Sequence, residues 1–244
     1  MENGDEDILI HPMRGKSEKE IPENGFLFVN PVEAEHYHVK LRGNGGEKRN
    51  LFHSNLTIAS GNSWFLAGPS LGAPMAAMTL EKLIVLGAKR IILFGWCGAV
   101  AEEIKIGDTI IASDAIAGEG TSQYYPSERQ DMTNPELTGR IRSFFNNSGL
   151  TWKNGRIWST DAIFRESRKT LAELKESQGV NAVDMEFSAL CAVAAFRKIE
   201  FASVLVVSDE LWGSGWKPGF TKDVFLQKKK AIIANLLTFY MKTI

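Results

Sequence analysis

The chain has 244 residues, 44% of them hydrophobic, with 28 basic and 29 acidic side chains and a net charge of −1. That length supports a sizeable α/β core, while the near-zero charge with scattered basic residues excludes a nucleic-acid-binding surface. Two cysteines, Cys97 and Cys191, in apolar stretches exclude a disulfide framework, and no apolar run is long enough to span a membrane.

Residues 1–24 are polar, with Pro12 and Pro22, and read as an arm leading into the fold. The acidic start, Met1 to Asp7, lacks the basic stretch of a secretion signal, so a cytoplasmic location is expected. A first strand is predicted over 26–29, ended by Asn30-Pro31, with a short helix from Val32. Residues 42–50, rich in glycine and charge, read as a flexible loop. Strands over 57–59 and 64–67 flank a turn at Gly61-Asn62. Gly68 to Pro74 then leads into a helix whose apolar face includes Met75, Met78, Leu83 and Leu86, with Gly87 suited to end it. Next come a buried strand over 91–94, a glycine-bearing turn (Gly95-Trp96-Cys97-Gly98-Ala99), and another strand entered through Gly107-Asp108. A turn with glycine at a strand end lets a ligand approach the backbone, although the same turn also serves where no ligand binds. Helices are expected over 135–146, 166–177 and 221–243, and a strand over 156–161.

The most informative stretch runs from Asn181 to Asp209. A helix opening at Asp184 and closing near Arg197-Lys198 precedes a continuous apolar strand over 201–207. Glu186 falls in the first helical turn, where the macrodipole favours an acid in any protein. Asp209 falls just past the strand, where a Ser-Asp pair often merely begins a turn. It is also the edge at which open parallel sheets bind ligands. The four histidines, His11, His36, His38 and His53, lack the spacing of a metal site. The whole reads as a single domain over 1–244 with residues 1–24 as its arm: an α/β, three-layer α/β/α sandwich around a twisted, mostly parallel mixed sheet.

Gly72-Ala73-Pro74-Met75, Phe94-Gly95-Trp96-Cys97-Gly98-Ala99, Ile106-Gly107-Asp108-Thr109, Gly120-Thr121-Ser122, Val183-Asp184-Met185-Glu186 and Val207-Ser208-Asp209 follow one another in a familiar order. In this order and spacing the chain resembles the nucleoside phosphorylase superfamily, which includes purine nucleoside and uridine phosphorylases and methylthioadenosine nucleosidases. The resemblance implies cleavage of the N-glycosidic bond of a nucleoside, with no metal or organic cofactor. It assigns Glu186 to the ribose hydroxyls, with Met185 beneath the sugar. It assigns Asp209, beside Ser208, to the proton of a purine-type base, a task for which burial is expected to raise the aspartate's pKa. Where the family places a base-stacking phenylalanine the chain has Ile163, with Phe164 next to it as the substitute. Trp96, Cys97 and Gly98 are expected to line the site. Thr121-Ser122 either line the rear of the sugar pocket or end a strand. Trp212 and Trp216 either close over the base or pack on the body. His11 and Arg49 match residues that relatives lend to a neighbouring subunit, which implies a homo-oligomer, at least a dimer, with a hexamer as the alternative.

The family's phosphate motifs are altered. Where phosphorylases are expected to carry Gly-Asp-Pro-x-Arg, this chain reads Val29-Asn30-Pro31-Val32-Glu33; a second arginine corresponds to Leu93 and a hydroxyl residue to Trp96. Exchanging arginine for glutamate beside a dianion costs on the order of a few kcal/mol. Each missing charge-assisted bond costs about 1.5–3 kcal/mol more. The expectation is hydrolysis by water, with Trp96 in the phosphate pocket. The alternatives are phosphorolysis through a rebuilt site, with inorganic phosphate as co-substrate, and a non-catalytic nucleoside-binding member.

Overall fold

The computed structural model of the protein describes residues 8–51, 53–128 and 131–243. The first seven residues of the expected arm lie outside them. The strands are β1 (Asn24–Phe28), β2 (Glu47–Asn50), β3 (Asn55–Ile58), β4 (Phe65–Gly68), β5 (Arg90–Ala99), β6 (Thr109–Gly118), β7 (Lys153–Thr160), β8 (Ala182–Asp184), β9 (Glu200–Glu210) and β10 (Lys217–Pro218). The helices are α1 (Pro31–Gly43), α2 (Ala73–Val85), α3 (Pro135–Asn147), α4 (Arg168–Gln178), α5 (Phe187–Arg197) and α6 (Asp223–Thr243).

All ten strands join one mixed sheet in the order β10-β9-β6-β7-β8-β5-β1-β4-β3-β2. Strands β4, β1, β5 and β9 run parallel to one another. Because β9 pairs with β5 as well as with β6, strands β5, β9, β6, β7 and β8 close into a ring. Helices α2 and α5 cover one face, where Leu80, Leu83, Leu190 and Val193 meet Leu93, Leu205 and Val207. Helices α1, α3 and α6 cover the other, where Tyr37, Ile141 and Phe225 meet Phe28, Phe94 and Val206. The alternation along β5, with Leu93 on the first face and Phe94 on the second, is the period-2 pattern of a strand buried on both sides. Helix starts follow local chemistry: Asn30 caps α1 at the Val32 N–H, Asn134 caps α3 at the Leu137 N–H, and Ser167 caps α4 at the Thr170 N–H. Among the described residues, no helix is long and apolar enough to cross a membrane.

Several expectations need correcting. The loop expected over 42–50 contains β2, a polar strand paired antiparallel with β3. The turn expected at Gly95 is a continuation of β5, which stays paired with β9 as far as Ala99. Asp184 ends β8, and α5 starts at Phe187. The Asp184 carboxylate still accepts the Phe187 N–H at 2.9 Å, so its capping role holds although the helix begins three residues later.

Candidate active site

The parallel strands β4, β1, β5 and β9 bring four segments to one edge of the sheet: Ser70 to Gly72, Asn30 to Glu33, Trp96 to Gly98, and Ser208-Asp209. Gly98 is the junction. It lies opposite Asp209 on β9 and opposite Val183 on β8, so β5 carries the two acid-bearing segments on its two sides. The ladder shifts register at Cys97/Gly98, leaving Ser208 without a partner in it. The Ser208 hydroxyl lies 3.2 Å from the Cys97 carbonyl and 2.7 Å from Asp209 Oδ1. A Cβ on Gly98 would stand 2.8 Å from Leu211 Cδ1 and 3.1 Å from Asp209 Oδ2, so the missing side chain admits the aspartate to this spot. Asp209 belongs to β9 itself rather than following it.

Glu186 occupies the cap position of α5 rather than its first turn. Its side chain is 3% exposed. Its Oε1 accepts the Gly72 N–H at 2.6 Å, across from the start of α2. Gly72 has φ +88°, a conformation open to glycine, and this aims the amide at the carboxylate. Burial first, and then the charge of Asp184, push the Glu186 carboxyl well above the ordinary range; burial likewise raises Asp184. Asp184 Oδ1 accepts the Ser159 hydroxyl at 2.6 Å, and Ser159 Oγ in turn accepts the Ser188 N–H. The Ser188 hydroxyl donates to Glu119 Oε1 at 2.9 Å, and Glu119 also takes the Ser122 hydroxyl. This buried network anchors the β8–α5 junction from below, and Ser122 belongs to it. Met185, between the two acids, is half-buried.

Asp209 differs from expectation, being half-exposed instead of buried. Its Oδ2 accepts the Trp216 indole N–H at 2.9 Å from a loop whose residues 213–216 are exposed. Trp216 is 63% exposed, whereas Trp212 packs on the core with Lys105 Nζ 3.8 Å from its ring centroid. Ile163 and Phe164 form a short 3-10 turn with Arg165 and remain open, Phe164 at 94% exposure. Glu166 closes that turn; burial first, and then the Asp209 charge, push its carboxyl up to about 7. Sequence reasoning missed Glu166, although an acid two residues after Phe164 was a visible signal.

Residues 30–238 match the family described as the phosphorylase superfamily. The chain belongs to that superfamily. A DeoD-type purine nucleoside phosphorylase of Brevibacillus brevis is 32% identical over 147 residues, covering 59% of this chain and 62% of that protein. The chain therefore spans less than two thirds of the curated relatives it matches first. The purine nucleoside phosphorylase of Toxoplasma gondii has a TM-score of 0.79 at 17% identity, covering 93% of this chain and 97% of its own. An AMP nucleosidase of Bacteroides thetaiotaomicron has a TM-score of 0.71 at 22% identity, with 91% and 92% covered. At such identities the structural likeness establishes the fold.

In this phosphorylase-superfamily chain, the residues at the altered phosphate motifs are engaged with one another. Glu33, 4% exposed, accepts Lys229 of α6 at 2.6 Å through Oε1. Lys229 Nζ also lies 4.7 Å from the Trp96 ring centroid and 4.8 Å from that of Phe225. Trp96 packs edge-on to Phe225 at 5.2 Å and tilted against Phe220 at 5.9 Å. Glu33 Oε2 and Trp96 Nε1 are buried without a hydrogen-bond partner among the described residues. Leu93 is sealed in the core, and Cys97 beside Trp96 is a buried thiol. His11 is exposed on the arm, away from these contacts. Arg49 pairs with Glu47 at 2.9 Å and donates to the Glu20 carbonyl at 2.8 Å, so within one chain it clasps the arm to β2. A cavity of about 280 Å³ lies there, lined by Arg49, Leu56 and Leu86 among others; a second of about 150 Å³ is lined by His38, Arg42 and Lys48. Neither of these two is lined by Glu186 or Asp209.

Proposed function

We propose that the protein hydrolyses the N-glycosidic bond of a nucleoside with a purine-type base. Glu186 takes the ribose hydroxyls over Met185, and Asp209, beside Ser208, meets the base. The C1′–N bond breaks with its electron pair moving to the base, which gains a proton; water adds its oxygen to C1′ and gives up a proton. Electrostatic stabilisation of the ribosyl cation by a buried carboxylate is the main contribution asked of Glu186. No metal or organic cofactor is required by this chemistry.

The observation that carries the choice of water is the Glu33–Lys229 pair. An acid stands where a phosphorylase is expected to have an arginine, and the neighbouring cation is already neutralised by it. A phosphate dianion arriving there meets a net charge near zero, backed by the indole of Trp96. The open arm, with Leu9 96% and Ile10 88% exposed, supports a homo-oligomer in which that apolar surface is covered.

Phosphorolysis is the second reading, favoured by the phosphorylase name of the Brevibacillus brevis relative. Incubating the protein with inosine or adenosine, with and without phosphate, separates the two. Free ribose at an equal rate in both supports hydrolysis; a strict need for phosphate, with ribose 1-phosphate as product, overturns it.

A further inference from the structure

The cavity of about 150 Å³ between α1 and the β2–β3 pair is lined by Glu35, His38, Arg42, Lys48, Asn55 and Thr57. The sequence brings these side chains together. Glu35, His38 and Arg42 stand three and four residues apart on α1, along one stripe of the helix. Asn55 and Thr57 alternate onto one face of β3. Lys48 of β2 lies directly opposite Thr57 in the antiparallel ladder, so its side chain emerges on that same face. The floor is buried, with His38 4% and Thr57 0% exposed, while Arg42 and Lys48 are exposed. Among the described residues, Lys48 Nζ and the two terminal nitrogens of Arg42 have no hydrogen-bond or ion-pair partner. Arg42 engages only its Nε, which donates to the His38 carbonyl at 3.2 Å. Two cations against one acid, Glu35, leave the lining net positive. Its volume lies below the roughly 300–1,000 Å³ of pockets that take drug-sized ligands, so the fitting occupant is small.

His38 links this cavity to a proton. Its Nε2 lies 2.9 Å from the Gly68 carbonyl, which can only accept, so Nε2 carries hydrogen in either charge state. In the neutral ring Nδ1 is then the acceptor, and the Thr57 hydroxyl 2.8 Å away donates to it. Protonation reverses that bond: Nδ1–H donates to Thr57 Oγ1, and the hydroxyl hydrogen is released to the cavity. The charged groups facing His38 are Glu35 and Arg42 on α1 and Lys48 on β2. β3 presents the uncharged Asn55 and Thr57, and β4 the Gly68 carbonyl. Burial above all, with Arg42 and Lys48 adding to it, holds the imidazole below its ordinary range, and an anion beside it acts in the opposite direction.

We propose that this cavity is a proton-gated site for one small tetrahedral oxyanion of the sulfate and phosphate class. Arg42 and Lys48 supply positive charge, Asn55 and the released Thr57 hydroxyl donate hydrogen bonds, and binding to the neutral protein takes up a proton at His38. The site stands apart from Glu186 and Asp209 and does not depend on the cleavage reading.

The test is calorimetric titration of the full chain with sulfate, whose charge is constant across the range in which histidine titrates. Ionic strength is held fixed, and two buffers of different ionisation enthalpy count the protons. Sulfate should bind more tightly at about pH 5.5 than at about pH 8, by at most about tenfold per pH unit, with proton uptake. Arg42→Gln and Lys48→Gln, both at exposed positions, should each weaken binding about tenfold, and Glu35→Gln should tighten it. Thr57→Val keeps the shape, leaves Nδ1–H of the imidazolium without an acceptor, and should flatten the pH dependence. Imidazole ¹⁵N NMR of the wild type reads the same switch without a buried substitution: His38 Nδ1 should gain a proton on adding sulfate. Displacement of sulfate by inorganic phosphate alone marks a free ion as the occupant; displacement by methyl phosphate as well marks a phosphomonoester. Sulfate binding unchanged in both Arg42→Gln and Lys48→Gln would place the anion elsewhere and overturn the proposal. So would an affinity independent of pH, an Nδ1 that stays unprotonated, or the absence of any sulfate binding.

Discussion

The indole N–H of Trp216 donates to Asp209 Oδ2 at 2.9 Å, tying a solvent-facing loop to the carboxylate at the end of β9. The donor fixes which way the carboxylate points before any substrate arrives. Trp216 is largely exposed, so its removal leaves the core intact. A hydrogen bond of this kind contributes about 1 kcal/mol net, which corresponds to about a fivefold change in rate. Trp216→Phe should lower kcat/KM about fivefold with an unchanged Tm, read from steady-state kinetics and a thermal melt. A variant as fast as the wild type would mean that the tether does not orient Asp209.

Gly98 offers a sharper probe of the same geometry. An alanine Cβ would press on Leu211 Cδ1 at 2.8 Å and reach Asp209 Oδ2 at 3.1 Å. Leucine can yield by changing rotamer, so the fold survives, but the aspartate must move aside. The aspartate must give by a few tenths of an ångström, a fraction of the roughly 1 Å misplacement that costs about 10²-fold in a catalytic group. If Asp209 meets the base as proposed, Gly98→Ala should therefore lose about tenfold in kcat with a loss of only a few degrees in Tm. Equal activity of the two proteins would separate Asp209 from the chemistry.

The Glu33–Lys229 pair is buried on both sides, with side-chain exposures of 5% and 12%. Removing one partner leaves the other charge desolvated without compensation, which costs about 3–5 kcal/mol. Glu33→Leu should therefore be strongly destabilised in urea. Adding Lys229→Met should recover most of the loss, because two apolar residues replace a pair whose own net contribution is small. Independent, additive losses in the double variant would show that the two residues do not act as a pair.

Local signals in the sequence located most elements, and long-range ones escaped it for identifiable reasons. The unbroken apolar run in β9 and the Asn-Pro caps of α1 and α3 carry their structure in a few adjacent residues. Strand β2 does not: Glu47-Lys48-Arg49-Asn50 is polar throughout and is held by its ladder with β3, which no side-chain pattern announces. Asp184 gave a true capping signal at the wrong place, because β8 holds the backbone extended up to that residue and the carboxylate reaches forward to Phe187. Glu186 and Asp209 were singled out by motif spacing, and the segments that carry them flank Gly98 of β5 on its two sides. The partners that define their surroundings, Gly72 for Glu186 and Trp216 for Asp209, depend on tertiary placement. The same is true of Lys229, whose pairing with Glu33 joins opposite ends of the chain.

The buried acids at the β8–α5 junction make stability depend on pH in a direction opposite to that of a salt-bridged carboxylate. Burial raises both Glu186 and Asp184, so the folded state binds more protons than the unfolded chain once pH exceeds the ordinary carboxyl range. The stabilisation from these protons is complete below the unfolded pKa values and is lost as pH rises through the raised folded ones. The unliganded protein should therefore melt at progressively lower temperature from about pH 5 to pH 9, with about 2–4 °C lost per kcal/mol in a chain of this size. Glu186→Gln keeps the side chain neutral at every pH and should flatten the slope; under the proposed cleavage, in which this carboxylate takes the ribose hydroxyls, it should also abolish turnover. A nucleoside that binds the ionised Glu186 should shift the wild-type melting temperature upward more at pH 8 than at pH 6. A wild-type Tm that climbs over the same pH range would contradict the burial of these two acids.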